Sequence, residues 1–383
     1  MRTVKATAAA VTAALAAGAA SVAAGRLASD AALKARPGRP LPTEPRLTVH
    51  GTAAGHITLT RDLASLRPGT YGLSGNGSHA VVGPVLPTAP HSADTVVRRL
   101  ERVTHGSLNP GDSVWLTPNL HVGNPGSALG LDHADVDVPG ELGNLPAWFV
   151  PGARRTWVIA VHGLGTTREH ALNLMGFLHR RHFPVLALAH RGDLGAPRSP
   201  DGLNHLGETE WRDLDAAMRY AVRYGAQRVV LLGWSTGATM ALRAAADSGL
   251  RDLVSGLVLD SPVLDWRTTL RALAAARRTP RPLLPLAVRA AEGRTGLHAG
   301  PGGHGPGGHG DAVADPDRLK VPTLILHGPD DTVAPWSVSR RLADRRPELV
   351  SLHTVPHAPH GAMWNPDPAA YEEALRRFLT PLM

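Results

Sequence analysis

One serine with a glycine two positions before it and another two positions after it lies between an apolar run and a helix-prone run. The sequence GWSTG occupies residues 233–237, after the β-type residues 228–232 and before the helix-prone residues 238–245. On a sharp turn between a strand and a helix, a serine projects its hydroxyl above the sheet, and the two glycines allow strand and helix to approach closely. Ser235 is therefore the candidate nucleophile. Because the chain contains 41 glycines, the pentapeptide needs partner residues to support it.

A candidate acid follows a later apolar run. Residues 321–328 predict a buried strand, and Asp330 and Asp331 come shortly after it. A carboxylate in this position can orient a histidine. Adjacent carboxylates in a loop point in different directions, so only one of them meets the imidazole; we favour Asp331 and keep Asp330 as the alternative. Asp260 and Asp265, which follow the strand after that of the serine, are interpreted as turn and helix-capping carboxylates.

Three histidines near the C-terminus compete for the role of the base. His353 lies inside the strand pattern of residues 350–355, His357 lies after its end, and His360 lies further along the loop. A general base has to reach the serine hydroxyl from a loop at the top of the sheet, so His353 is disfavoured. We favour His360 over His357, because the loop of His360 contains a glycine and is followed by a predicted helix over 367–379.

Two backbone N–H groups are expected to stabilise an oxyanion. Residues 155–161 predict a strand that ends at the sequence HGLGTT, residues 162–167. One N–H group comes from the residue after the nucleophile, Thr236, and the other from a loop after an early strand, where Leu164 is the best candidate. A His-Gly pair after a strand is often only a turn. The prediction therefore depends on all four features occurring in the right order along the chain.

From about residue 145 to the C-terminus, the chain resembles the α/β-hydrolase superfamily and, within it, actinobacterial-type serine hydrolases of unassigned substrate. The matching residues are 162–163, 192–197, 210–214, the GWSTG pentapeptide, 259–266, 327–328 with Asp331, and His360 with Trp364 and Tyr371. The resemblance implies a catalytic triad of Ser235, Asp331 and His360.

Such a triad predicts that the chain hydrolyses an ester or thioester of a small-molecule acyl substrate through a covalent acyl-enzyme, with no cofactor and no metal. Peptidase and acyltransferase chemistry would use the same three residues, and the motifs do not separate them. A different class of function is a non-catalytic envelope protein that uses the fold as a scaffold. A complete triad argues against this class, because a scaffold does not need a nucleophile, a base and an acid in register.

Apolar runs that alternate with helical stretches predict the fold class. We expect an α/β-hydrolase domain over 145–383, with a doubly wound, mostly parallel sheet, helices on both of its sides, and a cap or lid over the active site at about 266–320. Residues 45–140 carry short apolar–polar alternations broken by Gly, Pro and Asn. This pattern predicts a small β-rich accessory domain, in which the sequence indicates no chemistry.

A glycine-rich tract lies within the predicted cap. Residues 299–310 contain two histidines, His304 and His309, but no carboxylate or thiolate. Metal sites usually combine histidine with such ligands. We therefore interpret the tract as a flexible linker and not as a metal site.

The first 40 residues form a hydrophobic segment and a linker. Arg2 and Lys5 precede the uncharged residues 6–25, a stretch long enough to span a bilayer as a helix, and Arg26 follows it. Its apolar residues are mostly alanine, so insertion would be marginal. An uncleaved membrane anchor and a signal peptide cut near residues 21–23 both place the protein at the cell membrane or outside it. A soluble alanine-rich helix of a cytoplasmic protein is the alternative.

Charge and cysteine content exclude further classes. The net charge of +8 comes from 40 lysine and arginine residues against 32 aspartate and glutamate residues, and the arginines are dispersed. Without a basic stripe interleaved with aromatic residues, we do not expect nucleic-acid binding. The absence of cysteine from the sequence excludes disulfides and thiol catalysis. The sequence does not indicate an oligomeric state.

Overall fold

The computed structural model describes residues 2–34, 36–294 and 315–383. The tract that contains His304 and His309 lies outside the described residues, so its interpretation as a linker stays a prediction. Within the described segments, the chain forms a β-barrel and then an eight-stranded sheet flanked by helices.

An antiparallel β-barrel forms the N-terminal domain. Its strands are β1 (Leu47–Ala53), β2 (His56–Thr60), β3 (Tyr71–Ser74), β4 (His79–Val85), β5 (Thr95–His105) and β6 (Ser113–Thr117). They close in the order β1-β2-β5-β4-β3-β6. Alternate residues of these strands, such as Val49, Ile57 and Leu59, fill the interior. The predicted small β-rich domain is confirmed, and its closure into a barrel removes the exposed edges of the sheet.

A buried arginine links the barrel interior to the loop before β3. The guanidinium of Arg98, which is 0% exposed, donates hydrogen bonds to backbone carbonyls of Gly83 (2.9 Å), Ser65 (3.0 Å), Arg67 (2.7 Å) and Gly69 (2.7 Å). Burial lowers the pKa of Arg98 to about 10. The loop therefore takes its shape from a charge inside the barrel.

The second sheet is mostly parallel. Its strands are β7 (Ala134–Gly140), β8 (Gly143–Val150), β9 (Thr156–Val161), β10 (Val185–Leu188), β11 (Arg228–Trp234), β12 (Val254–Asp260), β13 (Thr323–His327) and β14 (Val350–Thr354). Their order is β14-β13-β12-β11-β9-β10-β8-β7. At one edge of the sheet, β8 pairs antiparallel with both β7 and β10. All pairs in the rest of the sheet, in the order β10-β9-β11-β12-β13-β14, are parallel. The predicted doubly wound, mostly parallel sheet is confirmed.

Helices cover both faces of this sheet. The helices after the barrel are α2 (Pro125–Leu129), α3 (Leu172–Arg180), α4 (Trp211–Arg223), α5 (Thr236–Asp247), α6 (Trp266–Ala276), α7 (Leu284–Arg294), α8 (Trp336–Arg345) and α9 (Pro368–Leu379). One face packs against α4, α5 and α8, and the other against α3 and α9. Most of the strand side chains are buried because both faces are covered.

A long helix, α1 (Arg2–Leu33), precedes the barrel. Its C-terminal end packs against α6 and α7, where Ala32 and Leu33 lie in one cluster with Leu270 and Val288. Residues 18–23 of the same helix are exposed. Within the described segments, no helix combines the length and the hydropathy that crossing a membrane requires.

Two buried asparagines join the barrel to the hydrolase domain. Asn173 on α3 donates to the carbonyl of Pro118 (2.8 Å) and accepts from the N–H of Leu120 (3.2 Å). Asn365, before α9, donates to the carbonyls of Pro118 (3.0 Å) and Thr70 (2.9 Å). These contacts hold the loops at one end of the barrel above the C-terminal ends of the parallel strands.

Candidate active site

Ser235 lies on a strained turn between β11 and α5. Its backbone dihedrals are φ 53° and ψ −115°, a region that residues other than glycine rarely adopt. The flanking glycines are required by close packing. A Cβ atom added to Gly233 would lie 2.4 Å from the carbonyl oxygen of Gly237, and one added to Gly237 would lie 2.2 Å from that of Val161. Substitution at either glycine would therefore displace the turn.

The structure brings together the three side chains proposed as a triad. The Nε2 atom of His360 lies 2.6 Å from the hydroxyl oxygen of Ser235, and its Nδ1 atom lies 2.7 Å from Oδ2 of Asp331. The side chains of His360 and Asp331 are 4% and 0% exposed. An N–H at Nδ1 donates to the carboxylate, which leaves Nε2 free to accept the serine proton.

Additional groups hold the carboxylate of Asp331. Its Oδ1 atom accepts hydrogen bonds from the backbone N–H groups of Val333 and Ala334, both at 2.8 Å. The Nε2 atom of His327 lies 3.0 Å from Oδ2, and the Nδ1 atom of this histidine accepts from the hydroxyl of Ser339 at 2.8 Å. The sequence motifs gave His327 no role of its own. Its position four residues before the aspartate, at the end of a strand, is the signal from which this contact could have been predicted.

The charges of the three groups shift one another. Burial lowers the pKa of His360, but the Asp331 carboxylate outweighs burial, so the pKa of His360 lies above its usual value. Burial raises the pKa of Asp331, yet the charge of His360 and the hydrogen bonds from His327 and His360 hold this pKa well below its usual range. Asp331 is therefore ionised at neutral pH.

The alternatives considered for the acid and the base lie apart from the serine. Asp330 is half exposed and accepts a hydrogen bond from the backbone N–H of His357 at 2.8 Å. The side chain of His357 is 71% exposed. His353 stays in β14. Asp265 accepts from the N–H of Thr268 and caps α6, as expected.

The position of Asp260 differs from the turn or helix-capping role that we expected from the sequence. It ends β12, is 0% exposed, and accepts a hydrogen bond from the hydroxyl of Ser261 (2.8 Å). The same hydroxyl oxygen accepts from the N–H of Gly361 (2.9 Å), next to His360. Burial raises the pKa of Asp260 to about 7, against the opposing effect of the Ser261 hydrogen bond. Through Ser261, Asp260 therefore helps to hold the loop that carries His360. No local pattern indicated this.

The two residues predicted for the oxyanion hole both flank Ser235. Thr236 is the first residue of α5, and Leu164 lies in the loop after β9. Within the described chain, neither backbone N–H group has a hydrogen-bond acceptor. Gly163 brings the loop close, because a Cβ atom at this position would lie 2.5 Å from the Cβ of Ser235. The two N–H groups are thus available to an oxygen at this site.

A histidine–aspartate group supports the same loop. The Nε2 atom of His162 lies 2.7 Å from Oδ2 of Asp193, which also accepts from the N–H of His190 at 2.8 Å. The two imidazole rings stack with centroids 4.5 Å apart. Each of these three residues has one side-chain atom that could bind a metal, and these atoms lie within 4.8 Å of one another. Among the described residues, this is the group whose spacing would fit a metal ion. Because the carboxylate oxygen already accepts two hydrogen bonds, we assign the group a structural role.

A cavity of about 140 Å³ opens above the serine. Ser235, Leu164 and His360 are among the residues that line it. Its other walls come from the barrel and the linker before it, namely Leu41, Glu44, Arg67, Tyr71, Trp115 and Asn119. Arg67 pairs with Glu44 at 2.7 Å.

This arrangement bears on two expectations. The barrel, for which the sequence indicated no chemistry, forms a wall of the candidate site. The described residues of the predicted cap, 266–294 and 315–320, do not line this cavity, and residues 295–314 lie outside the described residues, so the cap over 266–320 stays a prediction. The helices α6 and α7 pack against α1.

The fold and the site define a class of protein. The sequence profile of the alpha/beta hydrolase family matches residues 158–374, and the chain belongs to this family. It is accordingly a hydrolase. A second profile, described as a domain of unknown function (DUF8805), matches residues 48–117, which span the barrel. No curated protein matches the chain.

Among solved structures, the chain is similar to the esterase Pf2001 of Pyrococcus furiosus in two crystal forms. The form in space group P212121 has 23% identity and a TM-score of 0.53, over 68% of this chain and 95% of the esterase. The form in P21 has 21% identity and a TM-score of 0.52, over 68% and 97%. At these identities, the similarity demonstrates the fold alone.

Proposed function

We propose that the chain is a serine hydrolase that cleaves an ester or a thioester through an acyl-enzyme on Ser235. The observation that carries the proposal is the pair of contacts made by His360, at 2.6 Å to the serine hydroxyl and 2.7 Å to Asp331. This geometry is that of a nucleophile, a general base and an orienting carboxylate.

In the first half of the reaction, His360 takes the proton of Ser235 as the serine oxygen bonds to the acyl carbon. The N–H groups of Leu164 and Thr236 stabilise the negative charge on the carbonyl oxygen. The bond to the leaving oxygen or sulfur then breaks, and His360 transfers its proton to the leaving group. In the second half, water attacks the acyl-enzyme by the same proton transfers and releases the acid.

The shape of the site favours a small acyl substrate over a polypeptide. Cavities of roughly 150 Å³ hold a molecule the size of benzene. The cavity over Ser235, at about 140 Å³, is of that size, and the barrel lines one side of it. The esterase name of the structurally similar Pf2001 agrees with ester hydrolysis. A peptidase or an acyltransferase with the same triad remains the alternative for the chemistry.

A scaffold without catalysis is disfavoured by the strain at Ser235. Unfavourable backbone dihedrals at a non-glycine residue cost about 1–3 kcal/mol and persist mainly at functional sites. A scaffold would have no use for this strain, nor for a histidine aligned with the serine.

Labelling with a fluorophosphonate probe tests the proposal. The probe is expected to label the wild-type chain and the control variant Ser337→Ala, an exposed position on α8, but not Ser235→Ala. Circular dichroism would verify that both variants fold. Equal labelling of wild type and Ser235→Ala, or no labelling of either, would remove Ser235 as the nucleophile.

A further inference from the structure

A second, larger cleft adjoins the cavity over Ser235. Its volume is about 530 Å³. It shares with the cavity the linker residues Arg39, Leu41 and Glu44, and the loop residues Leu164 and Gly165. The two spaces therefore meet at the loop that carries one of the proposed oxyanion donors. A substrate with its acyl carbon at Ser235 can extend into this cleft.

The cleft is strongly basic. Its walls contain the five cationic side chains of Lys34, Arg36, Arg39, Arg46 and Arg277. Its acidic lining residue is Glu44, which is already paired with Arg67 at 2.7 Å. Among the described residues, no carboxylate lies within ion-pair distance of any of the five cations.

Contacts of two of these cations agree with the missing carboxylate partner in the described part of the chain. The Nε atom of Arg277 is buried and has no hydrogen-bond acceptor in the described chain. Burial and the charge of Arg36 lower the pKa of Arg277. Arg46 is fixed by stacking, with its guanidinium carbon 4.2 Å from the centre of the Trp115 ring. Like charges that converge without an acid repel one another, and an anion between them relieves the repulsion.

We propose that this cleft binds a phosphate-bearing leaving group of the substrate, while the acyl group occupies the cavity over Ser235. The inference rests on the proposed serine hydrolase function and names its substrate class. Guanidinium groups match phosphate oxygens by paired N–H donors, and several such groups favour a polyanion over a single carboxylate.

Two sources supply this chemistry. One is a soluble acyl thioester of a phosphorylated carrier, and the other is an ester of a phospholipid. Matched substrate pairs separate them. Butanoyl-CoA and S-butanoyl-pantetheine share the thioester and differ in the 3′-phosphoadenosine diphosphate, and S-butanoyl-4′-phosphopantetheine, which carries a phosphate without adenosine, separates the phosphate from the adenosine. Dissolved dibutanoyl phosphatidylglycerol and dibutanoylglycerol share the esters and differ in the phosphate headgroup.

The test compares kcat/KM within each pair for wild type, Lys34→Gln/Arg36→Gln and the control Arg340→Gln/Arg345→Gln. All four substituted side chains are exposed, and the control pair lies on α8, outside the cleft. We expect wild type and control to prefer the phosphate member of one pair. In Lys34→Gln/Arg36→Gln, the ratio of kcat/KM for the phosphate member to kcat/KM for the other member should fall about tenfold, because two partly screened charge contacts are lost. Hydrolysis of the neutral p-nitrophenyl butanoate should be the same in all three proteins.

The outcomes separate the inference from the proposed function. Equal kcat/KM values within both pairs, or a preference that Lys34→Gln/Arg36→Gln leaves intact, would overturn the phosphate site while p-nitrophenyl butanoate is still hydrolysed. If no acyl compound is hydrolysed, the proposed function fails. Calorimetric titration of Ser235→Ala with CoA and with dibutanoyl phosphatidylglycerol then decides on the cleft alone. Binding that the double substitution weakens supports it, and absence of binding overturns it.

Discussion

His327 and His360 contact the same oxygen of Asp331, at 3.0 Å and 2.7 Å. With the N–H groups of Val333 and Ala334 on the other oxygen, the carboxylate has four hydrogen-bond donors. A carboxylate with so many donors is fixed in position as well as ionised. The orientation of His360 towards Ser235 therefore depends in part on His327, which contacts neither the serine nor the cavity.

We expect His327→Leu to lower kcat for p-nitrophenyl butanoate by about tenfold, since Asp331 keeps its other three donors. Without the His327 donor, more negative charge remains on the oxygen that His360 contacts, so the pKa of His360 should rise and the acid limb of the pH profile should move to higher pH. The control His353→Leu, on β14, should change neither. A loss of activity without movement of the acid limb would make the effect of His327 merely structural.

The proposed base is tested by comparing two histidines in the same loop. His360→Ala should lower kcat by a factor on the order of 10³ or more, as losses of triad members do. His357 has a positive φ of 61°, so His357→Asn is the better comparison and should be nearly neutral. The reverse ranking would assign the base to His357.

Substitutions at the two adjacent aspartates should differ in their effect on kcat as strongly as those at the two histidines. Asp331→Asn removes the charge that holds the imidazole and should lower kcat by about 10³ to 10⁴. Asp330→Asn should have little effect, because the carboxylate of Asp330 is half exposed and contacts His357. Steady-state kinetics of the two variants at pH 8 measures both. Similar losses in the two variants would leave the choice of acid open.

The pH dependence of activity follows from the raised pKa of His360. The imidazole has to be neutral to accept the serine proton, so activity is lost as the pH falls through this pKa. We expect the acid limb of kcat/KM to lie above about pH 6.5, the value of an unperturbed histidine. In Asp331→Asn, the residual activity should have its acid limb at lower pH. An acid limb of the wild type well below pH 6 would contradict the proposed pairing.

The barrel wall should limit the size of the acyl group. Trp115→Ala enlarges the cavity from the barrel side, so the preferred p-nitrophenyl ester should change to a longer acyl chain. The control Trp336→Ala, on α8 and outside the cavity, should leave the preference unchanged. Values of kcat/KM from acetate to dodecanoate measure the change. An unchanged optimum in Trp115→Ala would show that the acyl chain lies elsewhere.

The N-terminal helix divides into two parts with different expected effects. Deletion of residues 1–23 should leave ester hydrolysis unchanged, because residues 18–23 are exposed and the first proposed catalytic group is that of Leu164. Deletion of 1–39 removes Ala32 and Leu33 from their cluster and should lower the melting temperature. Localisation at the membrane or outside the cell stays a prediction. Sedimentation of the full chain with membranes would support an anchor, and a mature N-terminus near Ala24 would support a cleaved signal.

The sequence predicted those parts of the site that depend on local pattern. Ser235, Asp331 and His360 each follow a strand, and the carboxyl ends of parallel strands meet at one edge of a sheet. Their proximity could therefore be predicted once the strands were recognised. The strain at Ser235 likewise follows from a turn between β11 and α5.

The cover of the site could not be predicted in this way. The barrel wall depends on docking by Asn173 and Asn365, whose partners lie 55 and 295 residues away in the chain. No periodicity in either segment encodes such contacts. The expectation of a cap at 266–320 relied on order along the chain. Among the described residues, the barrel and the linker line the cavity over Ser235, whereas Leu273 and Arg277 from the predicted cap line the adjoining cleft.

The buried guanidinium of Arg98 has a consequence for motion. Its donors hold the carbonyls of Arg67 and Gly69, so the loop cannot open alone without leaving a charge unsolvated inside the barrel. Local opening of the loop would then require the barrel itself to unfold. The backbone amides beside the cavity should exchange with deuterium as slowly as those of the barrel interior, and the wall facing the serine should be rigid in the resting protein.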